Sequence, residues 1–251
     1  MEILNEKAVS EAIGFVLILG LVLTGIGLVT LYGYPVLVKE QSSTDVKNME
    51  RAMIVIQNDM KSLCFKNVPY KETALQVSGG TLAVIGAGDG YPASIEVLVD
   101  GTSVGSFSPG ALVYHSDRGT EVITLENGAV MTRQEDAKGS AMLAEPRWFY
   151  DNSTKTFVIY VMNITTDEPM AKSGMATVRM SLEKTNTTVP APPDDSFDVT
   201  VMYPEEADNS VAWENYLTGS SLKMSGSDGT YTRSDVKKLV IKEYNIKIHG
   251  I

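Results

Sequence analysis

From Ala12 to Val38 the chain carries no charged residue. About 20 apolar residues in a helix cross a hydrocarbon core of roughly 30 Å, so this run predicts a membrane helix with residues to spare. Pro35 lies near its end, where a missing N–H and a bulky ring predict a bend or interruption. Farther on, Val46, Met49, Met53, Ile56, Met60 and Leu63 recur at three- and four-residue intervals, a single stripe on an α-helix. Residues 42–45, all Ser, Thr or Asp, could cap a fresh start, and Pro69 limits the end. One long helix kinked near Pro35, or two helices in line, is therefore expected from about Ser10 to about Leu63. The stripe is shorter than the roughly three or four heptads that argue for a coiled coil. Its expected partner is the protein's own sheet, and the alternative is a filament core of neighbouring helices.

From Thr73 the period changes to that of strands. Residues 74–77, 81–85, 94–99, 120–125, 129–132, 156–161, 176–182, 197–202 and 239–248 form β-type runs between Gly-rich turns. Asp100-Gly101 and Asn127-Gly128 are hairpin signals. Residues 212–217 predict a short helix closed by Gly219, and the proline tract at residues 189–195 a stiff loop between strands. The expected fold is α+β: a long N-terminal hydrophobic helix followed by a mainly antiparallel, β-sandwich-like head.

The flanks of the apolar run narrow its role. An ordinary cleaved signal has a basic start, a shorter apolar stretch and a small-residue exit. Here residues 1–7 hold two acids against one base, and the far end reads Tyr32-Gly33-Tyr34-Pro35. Lys7-Ala8, followed by Val9-Ser10-Glu11-Ala12-Ile13-Gly14, resembles the N-terminus of archaeal type IV pilin-like and archaellin-type proteins, whose processed chains commonly open Val-Ser-Pro-x-Ile-Gly. Glu11 stands where the family usually has proline. The resemblance implies a leader cut by a prepilin-type peptidase at Lys7, Ala8 and Val9, between Ala8 and Val9. It also implies an assembly helix in which Glu11, Ile13, Gly14, Phe15, Ile18, Leu19 and Val22 take part, with self-association or packing against other pilins. Val16, Leu21 and Leu28 would add apolar contact, and Gly14, Gly20, Gly25 and Gly27 would permit close helix approach. Ser10 is a candidate N-cap, and Glu11 suits the positive end of the helix dipole. Residues 125–130, 142–148 and 212–217 look like the head domain of uncharacterised archaeal proteins with a pilin-type start.

Charge and chemistry then exclude rather than identify. The net charge of −10 makes nucleic acid an unlikely partner. The single cysteine, Cys64, allows no internal disulfide and reads as a small buried hydrophobe at a helix end. Residues 86–90 hold three glycines but miss the G-x-G-x-x-G spacing, since Tyr91 and Pro92 stand where a third glycine and a helix should follow; a β-hairpin turn is expected. His115 and His249 belong to no zinc or triad motif. The acidic clusters at residues 194–195 and 205–208 lack EF-hand spacing and read as solvated loops. No enzyme activity, cofactor or metal is expected. Sequons at Asn152, Asn163 and Asn186 are glycosylation candidates in an exported domain.

The organisation expected is a leader at residues 1–8, a membrane and assembly helix with a soluble extension at 9–66, and a β-rich extracellular head at 67–251. The protein would be a single-pass, pilin-like surface protein in the cell membrane or in an extracellular filament, a minor pilin being one form. Lys7 marks the cytoplasmic side, with Lys39 opposing it. The alternative is a permanently anchored extracellular binding, adhesion or envelope module.

Overall fold

The computed structural model describes residues 2–66, 68–191, 195–219 and 221–251, with side chains from residue 10 onward. The chain divides into two compact units, Met1–Thr44 and Asp45–Ile251. Helix α1 (Glu2–Leu28) passes through a π-turn at Val29–Gly33 into α2 (Tyr34–Lys66). The π-turn is the chain's answer to Pro35. Tyr34 N–H reaches back five residues to Val29 O, and the wider turn relieves the clash that a proline makes with the carbonyl four residues earlier.

Two expected helix starts are absent. Ser10 lies inside α1, so it is not an N-cap in the uncut chain. Residues 42–45 lie inside α2, where the Thr44 hydroxyl donates to Glu40 O at 2.9 Å. A capping residue is tolerated in mid-helix when its side chain bonds back to its own turn.

The second unit is built on two sheets. In chain order its strands begin with β1 (Tyr70–Ile85), β2 (Ile95–Val99), β3 (Thr102–Phe107), β4 (Ala111–Ser116) and β5 (Glu121–Glu126). Next come β6 (Ala129–Gln134), β7 (Ser140–Ala144), β8 (Phe149–Asp151), β9 (Thr156–Thr165) and β10 (Met170–Thr188). Then follow β11 (Phe197–Met202), helix α3 (Ser210–Thr218), β12 (Ser225–Ser227), β13 (Thr230–Val236) and β14 (Lys238–Gly250). Nine strands form one sheet in the order β7-β6-β5-β4-β1-β10-β14-β9-β8, and five form the other as β12-β13-β11-β2-β3. Pairing is antiparallel except between β9 and β14.

Both faces of the larger sheet are covered, as strand alternation requires. On β14, Tyr244, Ile246 and Ile248 join the cluster beneath α2, while Leu239 and Ile241 face the smaller sheet and α3. The α2 stripe from Val46 to Leu63 is the centre of the first cluster, with Met49, Met53, Ile56, Met60 and Leu63 fully buried. It belongs to the head's own core, which begins at Asp45 rather than after the helix. Cys64 is buried beside it, and burial pushes its thiol up to about 12.

Turn chemistry sets the register. Asn127-Gly128 joins β5 to β6 and Asp100-Gly101 joins β2 to β3, each pair with positive φ at both residues, which suits the right-handed twist of a two-residue hairpin. The runs expected at 74–77 and 81–85 are one strand with a register shift between Val77 and Leu82. There a Cβ on Gly80 would stand 2.2 Å from His115 O, so only glycine fits. Residues 86–94 are not a hairpin turn: they carry the chain from β1 in the larger sheet to β2 in the smaller.

Candidate functional site

Two regions depart from what a stable soluble domain needs. The first is the N-terminal helix. Ser10–Lys66 contains one apolar window long enough to cross a membrane, and none of that window is buried. Phe15 is 67% exposed, Leu21 77% and Leu19 45%. With no charge from Ala12 to Val38 the helix has no polar face, the mark of a segment meant for lipid or for other helices. Its few polar groups are satisfied internally: the Thr24 hydroxyl donates to Gly20 O at 2.7 Å and that of Thr30 to Ile26 O at 2.9 Å. Lipid offers no partner for a free hydroxyl, so this bonding suits a bilayer. Tyr32 and Tyr34 lie about 30 Å along the axis from Ala12, the thickness of a hydrocarbon core.

Helical spacing sorts the assembly candidates. Glu11, Gly14, Phe15, Ile18 and Val22 fall three or four residues apart on one face, Leu19 lies at its margin, and Ile13 lies off it. Nothing lies within 4 Å of a Cβ built on Gly14, Gly20, Gly25 or Gly27, so nothing within the described residues requires glycine there. The backbone at Lys7, Ala8 and Val9 is helical; their side chains lie outside the described residues.

The second region is in the head. Glu126, the last residue of β5, is completely buried. Tyr91 donates to its Oε2 at 2.6 Å, Tyr203 to the same oxygen at 3.3 Å, and Trp213 Nε1 to its Oε1 at 3.1 Å. Burial pushes the carboxyl up to about 7, and the donors Tyr91, Tyr203, Trp213 and Asn209 pull against that rise. Burial, and after it the same carboxylate, raises both tyrosines.

Around it the three short head motifs converge. Residues 125–130 supply Glu126 and the hairpin, residues 212–217 supply Trp213 and Tyr216, and the Trp148 ring packs tilted against that of Trp213, centroids 5.5 Å apart. Asn127 Oδ1 accepts from Met162 N–H at 2.7 Å. Across the sheet Gln57 of α2 donates to Gly128 O at 2.6 Å and to Glu145 O at 3.1 Å. Glu126, Tyr91, Tyr203 and Asn209 were not singled out by sequence reasoning, and the one signal was that residues 125–130 and 212–217 stood out as motifs.

Residues 7–246, nearly the whole chain, match a family of unknown function. The chain belongs to the DUF7289 family. No curated protein and no solved structure matches it.

The remaining candidates of this DUF7289 chain separate on burial. Asn163 is buried in β9 and its Nδ2 donates to Glu243 Oε1 at 2.7 Å and to Asn245 Oδ1 at 3.1 Å, so in the folded protein it cannot carry a glycan. Asn152, in the turn after β8, and Asn186, on β10, are exposed. Glu205, Glu206 and Asp208 line an open cleft of about 720 Å³ with Glu135, Asp136, Glu214 and Asp228. Among the described residues no group of three acidic, histidine or cysteine side chains is placed to hold a metal ion. His249 Nε2 lies 2.8 Å from Ser181 Oγ, and His115 borders a separate small cavity; the two do not meet. Asp194 lies outside the described residues.

Proposed function

We propose that this DUF7289 chain is a pilin-like structural protein of the cell surface. A prepilin-type peptidase cuts it between Ala8 and Val9, the helix from Val9 onward holds the precursor in the membrane and then packs helix to helix in a type IV pilus-like filament, and the β-rich head faces outward. The observation that carries this reading is the division of labour along the helical segment. From Ala12 to Val38 it is apolar on every side and largely exposed, whereas from Val46 its apolar stripe is consumed by the head's own core. A helix of the first kind needs lipid or other helices around it, so assembly would fall to the residues before Asp45. The Lys7-Ala8-Val9 junction and the Ile13-Gly14 pair support the choice of a pilin-type precursor.

The experiment is to determine the N-terminal residue of the membrane-extracted mature protein by mass spectrometry. A chain beginning at Val9 is expected, with precursor accumulating when Lys7 or Ala8 is replaced. A mature chain beginning at Met1 or Glu2 would make it a permanently anchored surface module instead.

A further inference from the structure

We propose that Glu126 is a proton-binding site that couples the seating of α3 and of the segment from Tyr203 to Asn209 on the nine-stranded sheet to ambient pH. The geometry has three parts. First, the carboxyl is fully buried and faces neutral donors on three sides: Tyr91 from the β1–β2 crossing, Tyr203 from beyond β11, and Trp213 from α3. Second, it faces no free cation among the described residues. Two basic groups line the cavity of about 150 Å³ that Tyr91, Tyr203 and Asn209 also border: Arg133 of β6, already committed to Asp208 at 2.7 Å, and the exposed His115 of β4. A carboxylate ionised there is buried with hydrogen bonds but without a counter-charge.

Third, the site holds an acceptor for a proton. Asn209 stands at the N-cap of α3, yet its side chain makes no cap bond, and its buried Oδ1 has no partner among the described residues. An amide presents a donor at one end and an acceptor at the other. Swivelled one way, Asn209 donates to the ionised carboxylate beside the tyrosines and the indole. Swivelled the other way, it accepts the hydroxyl of the protonated acid. Both charge states thereby keep a bond within the site, which makes proton exchange reversible rather than a route to unfolding. Protonation removes the uncompensated charge and tightens α3 and its preceding segment; ionisation loosens them.

The chain has two tryptophans, and both stand at this site, so indole fluorescence of the full chain in mild detergent reads it directly. A single titration between pH 5 and 9 is expected, retained in W148F, retained in H115N and absent in E126Q. Tyr91 donates to the ionised form, so Y91F should move the midpoint upward by about one pH unit. An absent titration, its loss in H115N, or a midpoint unmoved or lowered in Y91F would overturn the proposal. Should E126Q fail to fold, judged by circular dichroism, the sign of the Y91F shift and the H115N control decide alone.

Discussion

Glu126 makes the stability of the head depend on pH with a definite sign. In the unfolded chain its carboxyl has the ordinary value of 4.5, and in the folded chain burial holds it at about 7. Between those values the folded state keeps a proton that the unfolded state has released, so the contribution is complete below about pH 4.5 and is lost as the pH rises through 7. Urea unfolding followed by tryptophan fluorescence should find the difference in stability between the wild-type chain and E126Q changing by on the order of 2–3 kcal/mol between pH 5 and pH 8. An equal difference at both values would put the carboxyl near its ordinary range. Gln57 offers a test free of charge: it is 2% exposed and its amide serves two backbone carbonyls from different loops. Q57L keeps the bulk and removes the donor, at an expected cost of about 1–3 kcal/mol, chiefly for the Gly128 carbonyl left buried and unpaired, since Lys61 Nζ still donates to Glu145 O. None of this was legible in the chain. A glutamate at a strand end before Asn-Gly reads as a solvated turn residue, and it becomes a buried acid only because Tyr91, Tyr203, Asn209 and Trp213, far away in sequence, close over it.

At the scale of elements, α2 decides where the head begins. Its spacing from Val46 to Leu63 was readable as one stripe, and the structure assigns that stripe to the head's core through contacts with both halves of the larger sheet. A fragment from Pro69 therefore lacks one of its two core layers, while a fragment from Asp45 keeps both. The first should be unfolded or aggregated and the second folded and cooperative by circular dichroism and thermal melting. Within the longer fragment, Ile56→Ala should cost about 2–5 kcal/mol, the range for truncating a fully buried aliphatic side chain. Burial alone did not make a strand legible: β4, with Ala111 to Tyr114 buried between β1 and β5, was not among the expected runs, because its short apolar stretch follows Pro109-Gly110 and ends in His-Ser with no alternation. Residues 239–248 and 197–202 alternate or run apolar and were found, whereas β3, with Thr102, Ser103, Gly105 and Ser106, pairs on one side only and its polar residues read as loop. The two halves of β1 were read as separate strands because glycines at 79 and 80 mark a bulge within a strand as readily as a turn between two.

Over the whole molecule, the apolar helix and the acidic head make opposite demands on solvent, and the boundary between them can be tested by cutting there. The fragment from Asp45 should stay in the aqueous phase on detergent phase separation, and the full chain should partition with the membrane, because only the segment from Ala12 to Val38 has no use for water on any side. If the proposed filament forms, Leu19 separates anchoring from assembly. An aspartate at the centre of a membrane helix costs roughly 2.5–3.5 kcal/mol, which the many remaining apolar residues offset, so L19D should still insert. At the margin of the face shared by Glu11, Phe15, Ile18 and Val22, that same charge would have to be buried against a neighbouring helix with no cation to meet it. L19D should therefore remain in the membrane fraction with a folded head and yield no filament. A variant that assembles normally would show that residue 19 faces lipid or solvent in the assembled state, and would move the packing face to the opposite side, where Gly20, Thr24 and Gly27 lie.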